Sequence, residues 1–532
     1  MDTSVLIVGA GPTGLMLANQ LARRGVRPVI IDRHSGPAQQ SRAMVVQARS
    51  LEIYAKMGLA DRALELGRRA EGANLWASGR WTARIPIGEI GRGKSAFPYL
   101  LMLGQDDNER IMGEKLRSQG VEVQWNTEMT GLQQHPGHVD VTLRRPGGAT
   151  EAVRASWVAG CDGSRSPVRE MSGIGFPGAP YEHTFFVADT EATGPMKGGE
   201  LNVYLWADGF HLFFPMRGKD RWRVIGILPR HMRQRDDLTF EEVGAAVRQE
   251  ARETIAFSQC LWFSTYRIHH RCAERFRDRR CFLLGDAAHI HSPAGAQGMN
   301  TGLQDAYNLG WKLALVVTGR ADAALLDTYE RERIPVAQRL VRTTDRIFQV
   351  IVADGWFGKV FRTAIMARVA AFAMTRERVR DLAFRTISQI GIRYRKSPLS
   401  RTLPGLPYGA PVGGDRFPWL QLRMKPDGPV EDLFHHLDDI RYHLLVIGQP
   451  ATEALRRGLG EVVHVHEIPV DDHNARALSG ARIAGPCFYL LRPDGHAGLA
   501  GPRLAPSAIE RYLTESGIPA GKAREAAFLL PP

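Results

Sequence analysis

Residues 4–33, SVLIVGAGPTGLMLANQLARRGVRPVIIDR, narrow the fold more than any other stretch of the chain. VLIV is an unbroken apolar run, the pattern of a parallel strand covered on both faces. LMLANQLARRG has apolar residues at helical spacing and closes on Gly25, a residue suited to ending a helix. VRPVIIDR reads as a second strand. Between strand and helix stand Gly9, Ala10, Gly11, Pro12, Thr13 and Gly14, spaced as G-x-G-x-x-G. Gly9 permits the tight turn, Gly11 lets a pyrophosphate approach the backbone, and Gly14 lets helix and strand pack closely. The helix N-terminus, with unpaired N–H groups and partial positive charge, is suited to the phosphates. Asp32, with Arg33 beside it, ends the next strand 23 residues after Gly9 and is placed to accept ribose hydroxyls. An α/β chain with a Rossmann-type dinucleotide-binding domain follows. The motif fits FAD and NAD equally.

A chain of 532 residues carries two or three domains and a large core. Lys and Arg outnumber Asp and Glu 69 to 56, a net charge of +13. The basic residues are spread along the chain and form no run interleaved with aromatics, so a phosphate-rich cofactor explains the charge better than nucleic acid. The five cysteines include no C-x-x-C pair and read as buried reduced thiols. No apolar run reaches the length of about 18 residues that a membrane span needs, and residues 1–11 show no export signal; a cytoplasmic protein is expected.

Residues 51–70 and 107–119 read as helices, and 121–158 alternate as an antiparallel meander would. Strand-like segments dominate from 183 to 270, with one helix near 240–255. RCFLLGDAAH returns to strand, loop and long helix, and 322–390 are mostly helical. KSPLSRTLPGLPYGAPVGGDRFP is rich in Pro and Gly and reads as a linker. Beyond it RYHLLVIG, EVVHVHEIP and CFYLLRPDG are strands with helices between them. The expected division is 1–182 and 275–395 for two parts of the dinucleotide domain, the second with a helical segment. Residues 183–274 form an interleaved β-sheet domain, 396–415 the linker, and 416–532 a small α/β domain.

Two further motifs carry chemistry. AGCDGSRSPVRE places Asp162-Gly163 after a strand, followed by Ser164, Arg165 and Arg169. LLGDAAHIHSPAGAQGMNTGLQDAYNLGWKLA places Asp286, His289 and His291 close together, residue types that also bind metals. His289 and His291 alternate and would face opposite sides of an extended segment, so no shared metal is expected.

The three motifs in this order resemble the flavin-dependent aromatic hydroxylases, single-component FAD monooxygenases of the p-hydroxybenzoate hydroxylase fold. The nearest likeness is to larger members with a C-terminal thioredoxin-like domain, such as phenol hydroxylases and polyketide and anthracycline hydroxylases. The resemblance implies that Gly9, Gly11, Gly14 and Asp32 hold the ADP half of FAD, with Pro12, Thr13 and Arg33 beside them. It assigns Arg42 and Gln105 to the phosphate and ribityl region, and Asp162, Gly163 and Arg165 to FAD and NADPH. Asp286 meets the ribityl chain, and Pro293, Gly295, Gly298, Met299 and Asn300 form the loop beside the isoalloxazine ring. A helix starting near Gly298 would face the anionic reduced ring with its N-terminus. Two departures stand out: Asp32 replaces a commoner Glu, and Gln47-Ala48-Arg49 replaces a commoner Pro-Arg sequence.

The resemblance implies hydroxylation of a phenolic or polycyclic aromatic substrate with O2 and NADPH or NADH, through a flavin C4a-hydroperoxide. Tyr204, Phe213, Pro215 and Trp222, on the middle sheet, are the candidate substrate residues, and His211 a candidate base for phenol deprotonation. Alternating aromatics are equally the pattern of sheet core. The apolar stretch 347–374 fits packing beneath the substrate pocket or at a homodimer interface. Baeyer–Villiger or epoxide oxygen insertion on a polyketide or antibiotic is the alternative within the same chemistry. Flavin halogenation lacks its W-x-W-x-I-P signature here, and intact ring-side motifs argue against a non-catalytic flavoprotein.

Overall fold

The computed structural model describes residues 2–38, 43–77, 79–207, 209–235, 237–252, 254–292, 295–352 and 365–518. The opening motif folds as β1 (Asp2–Val8), α1 (Pro12–Ala22) and β2 (Val29–Ile31). α2 (Ala48–Met57), the hairpin β3 (Gly72–Ala77) and β4 (Arg80–Pro86), and α3 (Gln105–Ser118) follow. Next come β5 (Val123–Gln124), β6 (Glu128–Gln134), β7 (Val139–Arg144) and β8 (Thr150–Gly160). The middle of the chain supplies β9 (Gly178–Thr193), β10 (Leu201–Trp206), β11 (Gly209–Pro215), β12 (Arg221–Ile227), α4 (Phe240–Ala251) and β13 (Ala256–Cys272). β14 (Cys281–Leu283) leads into α5 (Gly298–Val317), α6 (Asp327–Val352), α7 (Met366–Ala373) and α8 (Glu377–Ile387). The last unit holds β15 (Arg401–Thr402), β16 (Tyr442–Ile447), α9 (Glu453–Leu459), β17 (Val463–Ile468), β18 (Cys487–Leu491), β19 (Ala497–Gly501) and α10 (Pro506–Glu515).

The first sheet runs β14–β8–β1–β2–β5, and every neighbour along that path is parallel. β1 lies inside it, which is why Val5, Leu6, Ile7 and Val8 are all buried. The register brings Val8 level with Gly160 and Ile31, so the turns after three strands open at one sheet edge. β5 corrects the meander expected over 121–158. It joins β2 in parallel, Ile30 opposite Val123, and only β6, β7 and β8 are antiparallel to one another. A two-residue strand with a remote partner leaves no readable period.

The second sheet includes β13–β9–β12–β11–β10–β3–β4 in that order. β3 and β4 join from well upstream, β3 lying parallel to β10, so this sheet is not confined to 183–274. α4 covers one face, with Val243 and Val247 packed among Tyr204, Phe213 and Trp222. Phe348 of α6 and Ala367 of α7 pack on the other, against Phe185, Leu205 and Phe210. Residues 353–364 of the apolar stretch lie outside the described residues.

The third sheet runs β15–β19–β18–β16–β17. Its first strand comes from the segment read as a linker: Arg401 pairs with Leu499, and Leu399, Ala410 and Asp415 are buried. Pro and Gly shape turns there rather than a free tether. Among the described residues no helix is long and apolar enough to cross a membrane.

One buried carboxylate ties the third sheet to the helices behind the first. Glu332 of α6 accepts both Arg492 Nη groups at 2.6 and 3.0 Å, Lys312 Nζ and Asn308 Nδ2 of α5 at 2.7 Å each, and Ser397 Oγ at 2.6 Å. Arg492 also donates to Asp494. Both side chains of the Arg492–Glu332 pair are fully buried. Arg492→Leu leaves two carboxylates short of a partner and is expected to cost about 3–5 kcal/mol. Arg492→Lys restores the charge without the two-pronged donor and recovers only part of that. Thermal unfolding checks both; a leucine variant as stable as the parent contradicts this role.

Candidate functional site

The turn after β1 is built from contacts that admit no side chain. Gly9 has φ +102°, and a Cβ on it would lie 2.3 Å from the Cys161 carbonyl oxygen. A Cβ on Gly14 would lie 1.9 Å from the Gly9 carbonyl oxygen, whereas one on Gly11 would meet no atom within 4 Å. Gly9 and Gly14 therefore hold the strands and helix together, and Gly11 faces open space. Asp32 accepts the Ala10 N–H on Oδ2 at 2.7 Å, which pins the turn, and the His34 N–H on Oδ1 at 2.9 Å.

Gly9, Gly11, Asp32 and Arg33 line a groove of about 1160 Å³. Gln105, Asp162, Gly163, Arg165 and Asp286 line the same groove, so residues from all three motifs meet there. α1 and α3 start with Gly11 and Gly104 in the cap position and have no side-chain cap, so backbone donors at those ends remain available. Asp162 accepts the Val168 N–H on Oδ2 at 3.0 Å, while its Oδ1 is buried without a partner. Burial pushes this carboxyl up to about 6. Open backbone, unfilled helix ends and an orphaned carboxylate oxygen fit a bound pyrophosphate dinucleotide.

The third motif reaches the groove through Thr13. A Cβ on Gly285 would lie 2.6 Å from Thr13 Oγ1, and one on Gly302 of α5 would lie 2.4 Å from the same atom. α5 starts at Gly298, four residues before Gly302, without a side-chain cap. Gly295, Gly298, Met299 and Asn300 lie there, beyond the groove lining. The side chain of Asn300 faces the protein: its Oδ1 accepts Gln47 N–H at 2.9 Å and Ser50 Oγ at 2.8 Å, and its Nδ2 donates to the Val45 carbonyl at 2.8 Å. Gln47, in the divergent Gln-Ala-Arg sequence, donates to the Gly295 carbonyl at 3.2 Å and keeps Oε1 buried and unpartnered. Arg42 and Pro293 lie outside the described residues.

The two motif histidines have separate partners. His289 Nε2 lies 2.7 Å from Asp305 Oδ2, an oxygen that also accepts the Gly285 N–H at 3.0 Å. Arg333 Nε donates to Asp305 Oδ1 at 2.6 Å. His291 Nδ1 lies 2.7 Å from the Ser292 carbonyl, and burial pushes this ring down to about 4.

The middle-sheet candidates lie on the face that α4 covers. His211 and Phe213 alternate with Phe210, Leu212 and Phe214 along β11, and His211 pairs with Tyr204. Tyr204, Phe213 and Trp222 sit in the core under α4. Pro215 is level with Trp222. His211 is fully buried, stacks on Trp206 with centroids 5.5 Å apart, and has no partner for either nitrogen. Burial pushes it down to about 3. A ring that weakly basic is a poor base near neutral pH, which corrects the expectation for His211. The opposite face carries Leu201, Val203, Leu212 and Phe214, all only half-buried.

Glu109 and Thr127 also line the groove, unforeseen from sequence. Glu109 accepts from Gln105 and from the Ala38 N–H at 2.8 Å each, and Thr127 donates its N–H to the Asp32 carbonyl at 2.8 Å. Arg169 sat within a recognised motif; it donates to the Ala287 and Ser164 carbonyls at 3.0 Å and ties the second motif to the third.

Residues 2–344 match the family described as FAD binding domain. The chain is 34% identical to 6-methylpretetramide 4-monooxygenase of Streptomyces rimosus, over 96% of this chain and 92% of that protein. It is 32% identical to pentachlorophenol 4-monooxygenase of Sphingobium chlorophenolicum, over 85% and 81%. Among solved structures, the anhydrotetracycline hydroxylase OxyS from Streptomyces rimosus aligns with a TM-score of 0.78 at 28% identity, over 98% of this chain and 100% of that one.

The raised carboxyl of Asp162 sets a pH test. An acid raised by folding stabilises the folded state fully below its unfolded value, 3.8, and that contribution is lost as pH climbs through about 6. Ligand-free Asp162→Asn should melt with the parent near pH 4 and above it near pH 8. Melting curves across that range decide; a constant difference would mean that Asp162 ionises without penalty.

Proposed function

The chain belongs to the FAD-binding domain family and is an FAD-dependent aromatic monooxygenase, and from that premise we propose that it hydroxylates a polycyclic phenolic substrate using O2 and NAD(P)H in the cytoplasm. The observation that carries the reading is the single groove in which residues of three remote motifs meet, with the Gly11 backbone open to it.

FAD held in the groove would supply hydride acceptance from NAD(P)H and O2 activation. The protein binds, orients and excludes water. Gly11 and the α1 N-terminus are assigned to the pyrophosphate, Asp32 to the adenosine ribose, and Gln105, Arg165 and Asp286 to the middle of the cofactor. The uncapped start of α5, at Gly298 and Met299, is assigned to the ring end. A helix N-terminus there favours negative charge by about 0.3–2 kcal/mol.

The substrate wall is assigned to Leu201, Val203, Leu212 and Phe214. Their face of the sheet is apolar and incompletely covered, which suits a flat polycyclic ring. Arg223 shares that face, opposite Phe214 and Asp189 in the ladder. It donates to both Asp189 oxygens at 2.6 and 2.5 Å and keeps Nη1 buried and unpartnered. A phenolic oxygen or its anion is the group that would accept from that donor. The choice of polyketide-like over small phenols rests on the likeness to relatives that carry such names and on the breadth of this apolar face.

Two experiments test the reading. Gly11→Val should fold like the parent, since φ is −71° and a Cβ meets nothing within 4 Å, yet lose the yellow flavin absorbance. A variant that keeps its flavin removes Gly11 from the pyrophosphate site. In a screen of phenolics, substrates should stimulate NAD(P)H consumption and gain one oxygen on a ring carbon. Leu212→Ala should raise KM by about tenfold with little change in kcat. Oxygen inserted into a carbon–carbon bond would replace hydroxylation with the Baeyer–Villiger reaction.

A further inference from the structure

We propose that His443, His464 and His466, on β16 and β17 of the C-terminal sheet, form a site for one borderline divalent transition-metal ion of the Zn2+ class. β16 and β17 are parallel, with His443 level with His464 and Leu445 level with His466. Residues two apart on a strand share a face, so all three imidazoles stand on the same side of the sheet. One ring nitrogen from each lies within 4.8 Å of the other two.

The pair His443 Nδ1 and His466 Nε2 face each other at 3.0 Å. Two nitrogens of a tetrahedral zinc site, each about 2.0–2.1 Å from the metal, stand about 3.3 Å apart, so an ion requires a shift of only a few tenths of an ångström. The second nitrogen of His443, Nε2, lies 2.8 Å from the Asp438 carbonyl. An N–H donated there leaves the Nδ1 lone pair aimed at the other rings, the outer support that metal-binding histidines commonly have. Without an ion, His466 must donate its Nε2 proton to His443; coordination replaces that bond, and the proton moves to His466 Nδ1. His464 is exposed, which leaves an entry path and room for water as a further ligand, while His443 is buried.

The site stands apart from the dinucleotide groove, whose lining includes none of the three. β17 is the edge strand of its sheet. Asp439, beside the residue that supports His443, is bonded by Arg23 at 2.8 Å. An ion would therefore clamp the sheet edge to the loop that docks behind α1, a structural role. A second cluster, His135, His138 and Asp140, differs in its ligand set: its third member is a carboxylate, 3.1 and 3.4 Å from the two rings.

The test uses the flavin-loaded full chain without a polyhistidine tag, stripped with chelator and titrated calorimetrically with Zn2+, and with Co2+ as an optical probe. One equivalent should bind, with visible bands for Co2+, and the melting temperature should rise. His464→Gln, an exposed position, and His466→Gln should each weaken binding by at least about tenfold with the flavin spectrum unchanged. His135→Gln should not. No stoichiometric binding by the parent, equal affinity in His464→Gln, or an equal loss in His135→Gln each overturns the site.

Discussion

A contact between one side chain and two glycines underlies the arrangement of the groove. Thr13, in the first turn of α1, wedges between Gly285 and Gly302, where even a methyl group would stand 2.6 or 2.4 Å from its hydroxyl. Farther along the same pair of helices, a Cβ on Gly310 would stand 2.7 Å from Gln20 Cβ. Close packing leaves no slack to absorb such overlap. Two chain segments nearly 300 residues apart are thus fixed relative to each other by backbone shape, and the ends of a long ligand can be met by different parts of the sequence.

Buried charge secures what that contact positions. Asp305 gathers Gly285, His289 and Arg333, so the loop of the third motif, the long α5 and the following helix share one carboxylate. Glu332, on the same helix as Arg333, performs the equivalent function toward the C-terminal sheet through Arg492. Each pair is fully buried, where satisfied ions specify one arrangement and unsatisfied ones forbid others. The groove and the distant sheet are thereby coupled through adjacent residues of α6.

Much of the fold was legible because its signals are local. The first strand, its glycine turn and its helix follow from periodicity and from residues that only a tight turn requires. The groove residues Gly9, Gly11, Asp32, Gln105, Asp162 and Asp286 were likewise readable from motifs. Glu109 and Thr127 were not, since their place depends on β5 lying beside β2 and on α3 starting near the loop after β2. The middle sheet shows the sharper limit. Period two says that His211 and Phe213 share a face, but not which face α4 covers. His211 therefore read as a base while it lies in the core, and half-buried Leu212 and Phe214 passed unnoticed beside it.

The sequence by itself determined the local features: a tight glycine turn between strand and helix, two strand-end acids, and an α/β chain with a sheet-based insert. Those features are set by the steric needs of a few consecutive residues, which any chain carrying them must meet. Tertiary structure alone decided which face of the middle sheet α4 covers, that β3 and β4 complete that sheet, that residues 396–415 dock instead of tethering, and that three histidines from two strands converge. Each of those outcomes depends on a partner remote in the chain, and a pattern repeating every two or four residues carries no information about which remote surface will cover it.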